Sequence, residues 1–175
     1  MKSKILSAAL ALGLAASTAT LFARAPQGDL GTAVRHELVM LPYYSIFDDL
    51  GYQLDGSTVI LTGDVVMPVL KSDAQNVVKR IPGVTNVVNN IKVLPLSPFD
   101  NQTRRAVYRS VFGYAGLYRY AMGALPSIHI IVDNGHVTLK GVVDNEGDKN
   151  LAYMRANGVP GVFSVTNDLR VAEKN

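Results

Sequence analysis

The sequence predicts an α+β protein made of two tandem αββαβ units, each a small three-stranded mixed sheet covered by two helices, following an N-terminal signal peptide. Three observations carry this. A stretch starting at Asp55 recurs, without a gap, 78 residues later at Asp133. Within each copy, apolar residues first alternate around a Gly-containing turn and then recur at helical spacing. The first 25 residues, finally, have a layout of their own.

In that leading segment, Lys2 and Lys4 precede an apolar and small-residue run over residues 5–16, then Ser17 and Thr18. A basic start, a short apolar core and small residues make an export signal. The run is short for a bilayer-spanning helix. Two cleavage points stay open. Ala23-Arg24-Ala25 has the small-x-small pattern but is followed by Pro26, whereas cleavage after Ala19 meets no proline.

The first unit is expected over residues 29–94. Asp29 is placed to cap a helix reaching about Met40, with Ala33, Val34, Leu38 and Leu41 on one face. Strands over 51–54 and 59–65 flank the turn Asp55-Gly56-Ser57. Pro68 suits the first turn of a second helix, in which Leu70, Ala74, Val77, Val78 and Ile81 form the apolar face. Pro82-Gly83 stops that helix before a last strand containing Val84, Val87, Ile91 and Val93.

A proline-rich linker over 95–98 restricts the mutual orientation of the units. The second unit, 99–172, repeats the order. Asp100 is the expected cap of a helix over 101–112, strands over 128–132 and 137–143 flank Asp133-Asn134-Gly135, and a helix covers 146–157. About five additional residues sit between its first helix and its hairpin. Over residues 55–93 the two copies share 13 identities in 39 positions.

The chain has 17 Lys and Arg against 14 Asp and Glu, a net charge of +3. Lys2, Lys4 and Arg24 account for that excess, so the exported part is neutral and lacks the domain-wide positive field that nucleic-acid binding needs. With no Cys, disulfides, thiol catalysis, Cys-based zinc clusters and a lipid anchor on cysteine are excluded. His36, His129 and His136 fall on different elements; His129 and His136 could face one another across the second hairpin, but two histidines make a weak metal site, and Asp144, Glu146 and Asp148 lack the glycine and terminal glutamate of a calcium loop. No catalytic group, metal or cofactor is expected.

Charge does differ between the copies: residues 26–98 carry a net −2 and residues 99–175 a net +2. The excess concentrates in Arg104, Arg105, Arg109 and Arg119, interleaved with Tyr108, Phe112, Tyr118 and Tyr120. Cations beside amphipathic rings are what a peripheral anionic-membrane surface requires. In the competing reading the aromatics face the sheet and the arginines are simply solvated.

The run Gly135-His136-Val137-Thr138-Leu139-Lys140-Gly141, a helix, and then Pro160-Gly161-Val162 with Val165, Asn167, Leu169 and Val171 resembles the BON domain, named for bacterial osmotically inducible and nodulation proteins. The first copy resembles it through Gly63, Pro82, Gly83 and Asn89 as the second does through Gly141, Pro160, Gly161 and Asn167, over residues 29–172 in all. These glycines, prolines and asparagines have sufficient backbone reasons as turn and strand-end residues. The resemblance implies a periplasmic, non-enzymatic module that associates reversibly with anionic phospholipid and supports the envelope under osmotic or other stress. The alternative it leaves open is a protein-interaction or chaperone-like module acting on envelope proteins.

Overall fold

The computed structural model describes residues 27–123 and 126–173; the expected signal segment and both cleavage points lie outside the described residues. The first unit runs α1 (Gln27–Val39), β1 (Asp49–Asp55), β2 (Thr58–Val65), α2 (Pro68–Val78), β3 (Asn86–Asn89) and β4 (Lys92–Val93). The second runs α3 (Pro98–Phe112), a 3-10 turn (Tyr118–Ala121), β5 (Ile128–Asp133), β6 (His136–Val143), α4 (Glu146–Asn157) and β7 (Ser164–Val171).

Each sheet is mixed. β2 pairs antiparallel with β1 and parallel with β3 and β4, while β6 pairs antiparallel with β5 and parallel with β7. The last strand of the first unit is broken into β3 and β4, yet its register on β2 is continuous, with Leu61 opposite Asn89 and Asp64 opposite Lys92. At the break, the Asn89 Oδ1 accepts from the Ile91 N–H at 3.2 Å.

The asparagines also reach beyond their own strand. Asn89 Nδ2 donates to the Lys71 carbonyl on α2 at 2.7 Å, and Asn167 Nδ2 to the Lys149 carbonyl on α4 at 3.0 Å. This is one tie, made twice, between the final strand and the second helix.

Burial follows the expected faces. Val34, Leu38 and Leu41 of the first helix region meet Leu70, Ala74 and Val78 of α2 over Val59, Leu61 and Val65. In the second unit Val107 and Val111 meet Ala152 and Ala156 over Ile128, Ile130, Val132, Val137 and Leu139.

Two helix starts differ from expectation. α1 begins at Gln27, so Asp29 lies inside it rather than capping it. In α3 the cap is Ser97, whose Oγ accepts from the Asp100 N–H at 3.1 Å, and Pro98 opens the helix instead of ending the linker. Proline fits there because its missing N–H would be unpaired in any first turn. Asp100 is thereby freed. Its buried carboxylate accepts from the Asn134 N–H at 3.0 Å and the Gly135 N–H at 2.8 Å. Both turn residues have positive φ, as a tight two-residue hairpin demands.

Gly63 and Gly141 do not end their strands; they sit within β2 and β6, opposite Leu50 and Ile128. Their φ values are +120° and +125°. At these points the neighbouring strand approaches so closely that a methyl on Gly63 would lie 2.1 Å from the Asp49 carbonyl oxygen, and one on Gly141 2.0 Å from that of Ser127.

The units touch through the segment between α1 and β1. Ile46 accepts at its carbonyl from the Ile130 N–H, 2.8 Å away on the edge of β5, and Ile46 and Phe47 pack against the second unit's core. Asp48 braces this segment: its carboxylate accepts from the Ser45 N–H, the Ser45 hydroxyl and the Val66 N–H at 2.6–3.0 Å. Across the same junction Lys140 reaches Asp49 at 3.0 Å and Asp64 at 3.3 Å, and Lys92 reaches Asp133 at 2.6 Å. Burial works against the Lys140 ammonium, but the two carboxylates outweigh it and raise its pKa.

Candidate functional site

The eight aromatic and arginine residues singled out in the second unit separate into a buried group and an exposed one. On α3 the helix turns Arg104 inward with Val107 and Val111, while Arg105 and Arg109 point to solvent. Arg104 is only 2% exposed. Its guanidinium donates to the Asn101 Oδ1 and to the Val132 carbonyl, both at 2.7 Å, and its Nε has no partner. Burial lowers its pKa against the opposing pull of Asp100, Asp48 and Asp133. Arg104 is thus held from within the second unit and offers little surface, touching solvent only at the wall of a groove beside Phe47 and Arg105.

Phe112 and Tyr120 are likewise buried. The additional residues of the second unit explain Tyr120: they form the 3-10 turn that carries Leu117 and Tyr120 into the core. The Tyr120 hydroxyl donates to Asp148 at 2.6 Å and accepts from the Asp144 N–H at 3.0 Å and from Arg119 at 2.9 Å. Arg119 is further bound by Asp148 and, at 3.0 Å, by Asp144. Asp144 and Asp148, at the start of α4, therefore neutralise Arg119, and Asn145 caps that helix through the Asp148 N–H.

Removing the hydroxyl by Tyr120→Phe leaves the Asp144 N–H unpaired. The expected loss is about 1–3 kcal/mol, to be read from urea unfolding.

Exposed and outside any ion pair among the described residues are Arg105, Tyr108, Arg109 and Tyr118. Neither Arg105 nor Arg109 takes part in an ion pair among the described residues. Tyr108 lies between Phe112, 5.1 Å away between ring centres, and Phe47 of the first unit at 6.3 Å, edge-on. Ile46, Phe47, Arg105, Tyr108 and Arg109 line a groove of about 380 Å³.

A second groove of about 350 Å³ adjoins it, sharing Phe47 and Arg105 and adding Tyr43 and Met67. Tyr43 is 69% exposed. Tyr43, Phe47 and Met67 are contributed by the first unit. The sequence reading missed them because their only sign was apolar residues in a connecting segment, and a loop's partner is set by tertiary contact.

The remaining sites have local roles. Gly83 and Gly161 adopt φ of +94° and +89° after the second helix of each unit. Val84 and Val162 close those turns by donating to the Ile81 and Val159 carbonyls, on either side of Pro82 and Pro160. His129 faces Lys140 across the hairpin and His136 faces Asp133, so the two histidines do not oppose each other. Among the described residues no three His, Asp or Glu side chains are grouped to hold a metal, and no helix is long and apolar enough to cross a membrane.

The family model described as "BON domain" matches residues 52–95 and 119–173, together more than half of the chain. Osmotically-inducible protein Y of Escherichia coli (strain K12) is 32% identical over 133 residues, which cover 70% of this chain and 61% of that protein. The chain thus spans about three fifths of that relative's length. Among solved structures, the C-terminal domain of CdsD, the structural protein of the Type III secretion system of Chlamydia trachomatis, is 13% identical, with 85% of this chain and 100% of that chain covered and a TM-score of 0.33. A second CdsD structure is 15% identical, with 83% and 94% covered and a TM-score of 0.30.

Proposed function

Since the chain belongs to the BON domain family, in two tandem copies, we propose that it is an exported, periplasmic binding module with a role in the response to osmotic stress, acting without catalysis by docking reversibly on anionic phospholipid. The stress role rests on the likeness to an osmotically inducible protein. The export rests on the leading basic and apolar segment.

The observation that carries the docking site is the pair Arg105 and Arg109, unpaired and exposed, flanking the half-exposed Tyr108 beside an apolar groove. Such a surface attracts lipid phosphates through the guanidiniums and seats rings at the headgroup boundary. Tyr43 and Met67 extend the apolar part, so the surface draws groups from both units.

Each cation near an anionic leaflet contributes about 1 kcal/mol, which makes the two arginines sufficient for weak, salt-sensitive association and insufficient for permanent anchoring. Co-sedimentation with phosphatidylglycerol-containing vesicles, but not with phosphatidylcholine alone, is the expected result. Arg105→Gln/Arg109→Gln should weaken it by about thirtyfold. Equal pelleting of wild type and variant overturns the assignment.

A further inference from the structure

The junction between the units encloses a larger groove, of about 630 Å³, lined among others by Arg35, Tyr44, Tyr52 and Asp49 of the first unit and His129 and Arg170 of the second. Its size falls in the range of small-molecule sites, which concentrate at domain boundaries. Tyr44 faces this groove, whereas its chain neighbours Tyr43 and Ser45 line the groove on the α3 side.

The charges lining it are unevenly satisfied. Asp49 is engaged by Lys140 at 3.0 Å, an ammonium it shares with Asp64 at 3.3 Å, which weakens its repulsion toward an anion. Arg35, from α1, and Arg170, from β7, have no ion pair among the described residues, although the other cross-unit cations, Lys92 and Lys140, are both paired. The His129 Nδ1 is buried with no hydrogen-bond partner, and its ring lies 5.7 Å from that of Tyr44. Burial, and after it the nearby Asp49, push the Tyr44 hydroxyl up to about 12, so at neutral pH it is a donor and not a phenolate. Two guanidiniums from opposite units with no ion pair among the described residues, a phenol and an imidazole thus line one cleft.

We propose that this cleft binds a phosphate oxyanion of a small organophosphate, held between Arg35 of the first unit and Arg170 of the second. Guanidinium matches phosphate through paired N–H donors, and the site is independent of the Arg105 and Arg109 surface. The phosphate has two sources: a soluble ester, or the glycerophosphate headgroup of a lipid. Because the two arginines belong to different units, occupancy tightens the junction that Ile46, Lys92 and Lys140 already hold.

The test is a titration of the ¹⁵N-labelled protein with sn-glycerol 1-phosphate, with glycerol as the neutral control, followed in the Arg35, Tyr44, His129 and Arg170 signals. Saturable shifts with the ester and none with glycerol are expected. Arg35→Gln and Arg170→Gln should each weaken binding about tenfold, and the double variant should abolish saturation. Both side chains are exposed, so unchanged thermal melting shows that the variants remain folded.

Arg105→Gln/Arg109→Gln should titrate like wild type, which separates this site from the docking surface. If the ester produces no saturable shift but binding to phosphatidylglycerol vesicles falls about tenfold in Arg35→Gln/Arg170→Gln, the headgroup is the source and the site stands. Ester binding that persists in the double variant, or the absence of any dependence on Arg35 and Arg170 in both arms, overturns it.

Discussion

Gly141→Ala should destabilise the second unit by about 4 kcal/mol or more, a large fraction of the stability of an ordinary domain. At φ +125° an L-residue is strained whatever surrounds it. The new methyl would also meet the Ser127 carbonyl oxygen at 2.0 Å, and that oxygen is backbone. It is held in place by accepting from the Val142 N–H at 2.9 Å, so relief requires β5 and β6 to separate.

Gly63→Ala should act in the same way on the first unit, where the Asp49 carbonyl oxygen lies 2.1 Å from the added methyl. Gly83→Ala is the matched control. It has φ +94° with no atom within 4 Å of the new methyl, so only the conformational term remains, about 1 kcal/mol. Urea unfolding of the three variants checks the ranking; equal losses at Gly141 and Gly83 would show that the close strand approach costs nothing.

A comparable loss is expected from Asp100→Ala. The Asp100 carboxylate is fully buried and is the acceptor for both turn amides of the second hairpin, Asn134 and Gly135. It is also the carboxylate that most supports the charge of the buried Arg104. Truncation leaves two N–H groups unpaired and a guanidinium with less compensation, and removing one side of such a buried arrangement costs about 3–5 kcal/mol.

Asp100→Asn keeps one acceptor and no charge, so its loss should lie between wild type and alanine. Hydrogen exchange resolves the mechanism: the Gly135 amide should lose protection in Asp100→Ala, and the turn at Gly56 in the first unit should be unaffected in both variants. If the Gly135 amide exchanges at the wild-type rate in Asp100→Ala, the carboxylate is not what holds the turn.

These residues show where sequence reading succeeds and where it stops. Gly141 was legible as a backbone requirement, because a glycine recurring at equivalent places in two copies of one unit signals a conformation that side chains resist. The strand contact that makes it indispensable was not legible. Asp100 carried a misleading signal: an acid before a helical run reads as a cap, but Ser97 took that role because Pro98 extends the helix start by a turn. A capping oxygen and a hairpin clamp look alike in sequence, and only the packing of α3 on β5 distinguishes them.

The amino-acid sequence by itself determined the two repeated units, their αββαβ order and the apolar positions of both cores, since two-residue and helical periodicities are local and survive translation by 78 residues. Tertiary structure alone decided which cations remain free. Arg104 and Arg105 are neighbours in the chain, yet a 100° step around the helix buries one and exposes the other. Arg119 meets its acids only because the 3-10 turn packs beside the start of α4. Phe47 joins Tyr108, and Arg35 faces the same cleft as Arg170, only because the units dock. Charge and ring content are properties of a sequence, whereas exposure and pairing depend on residues brought together from distant positions.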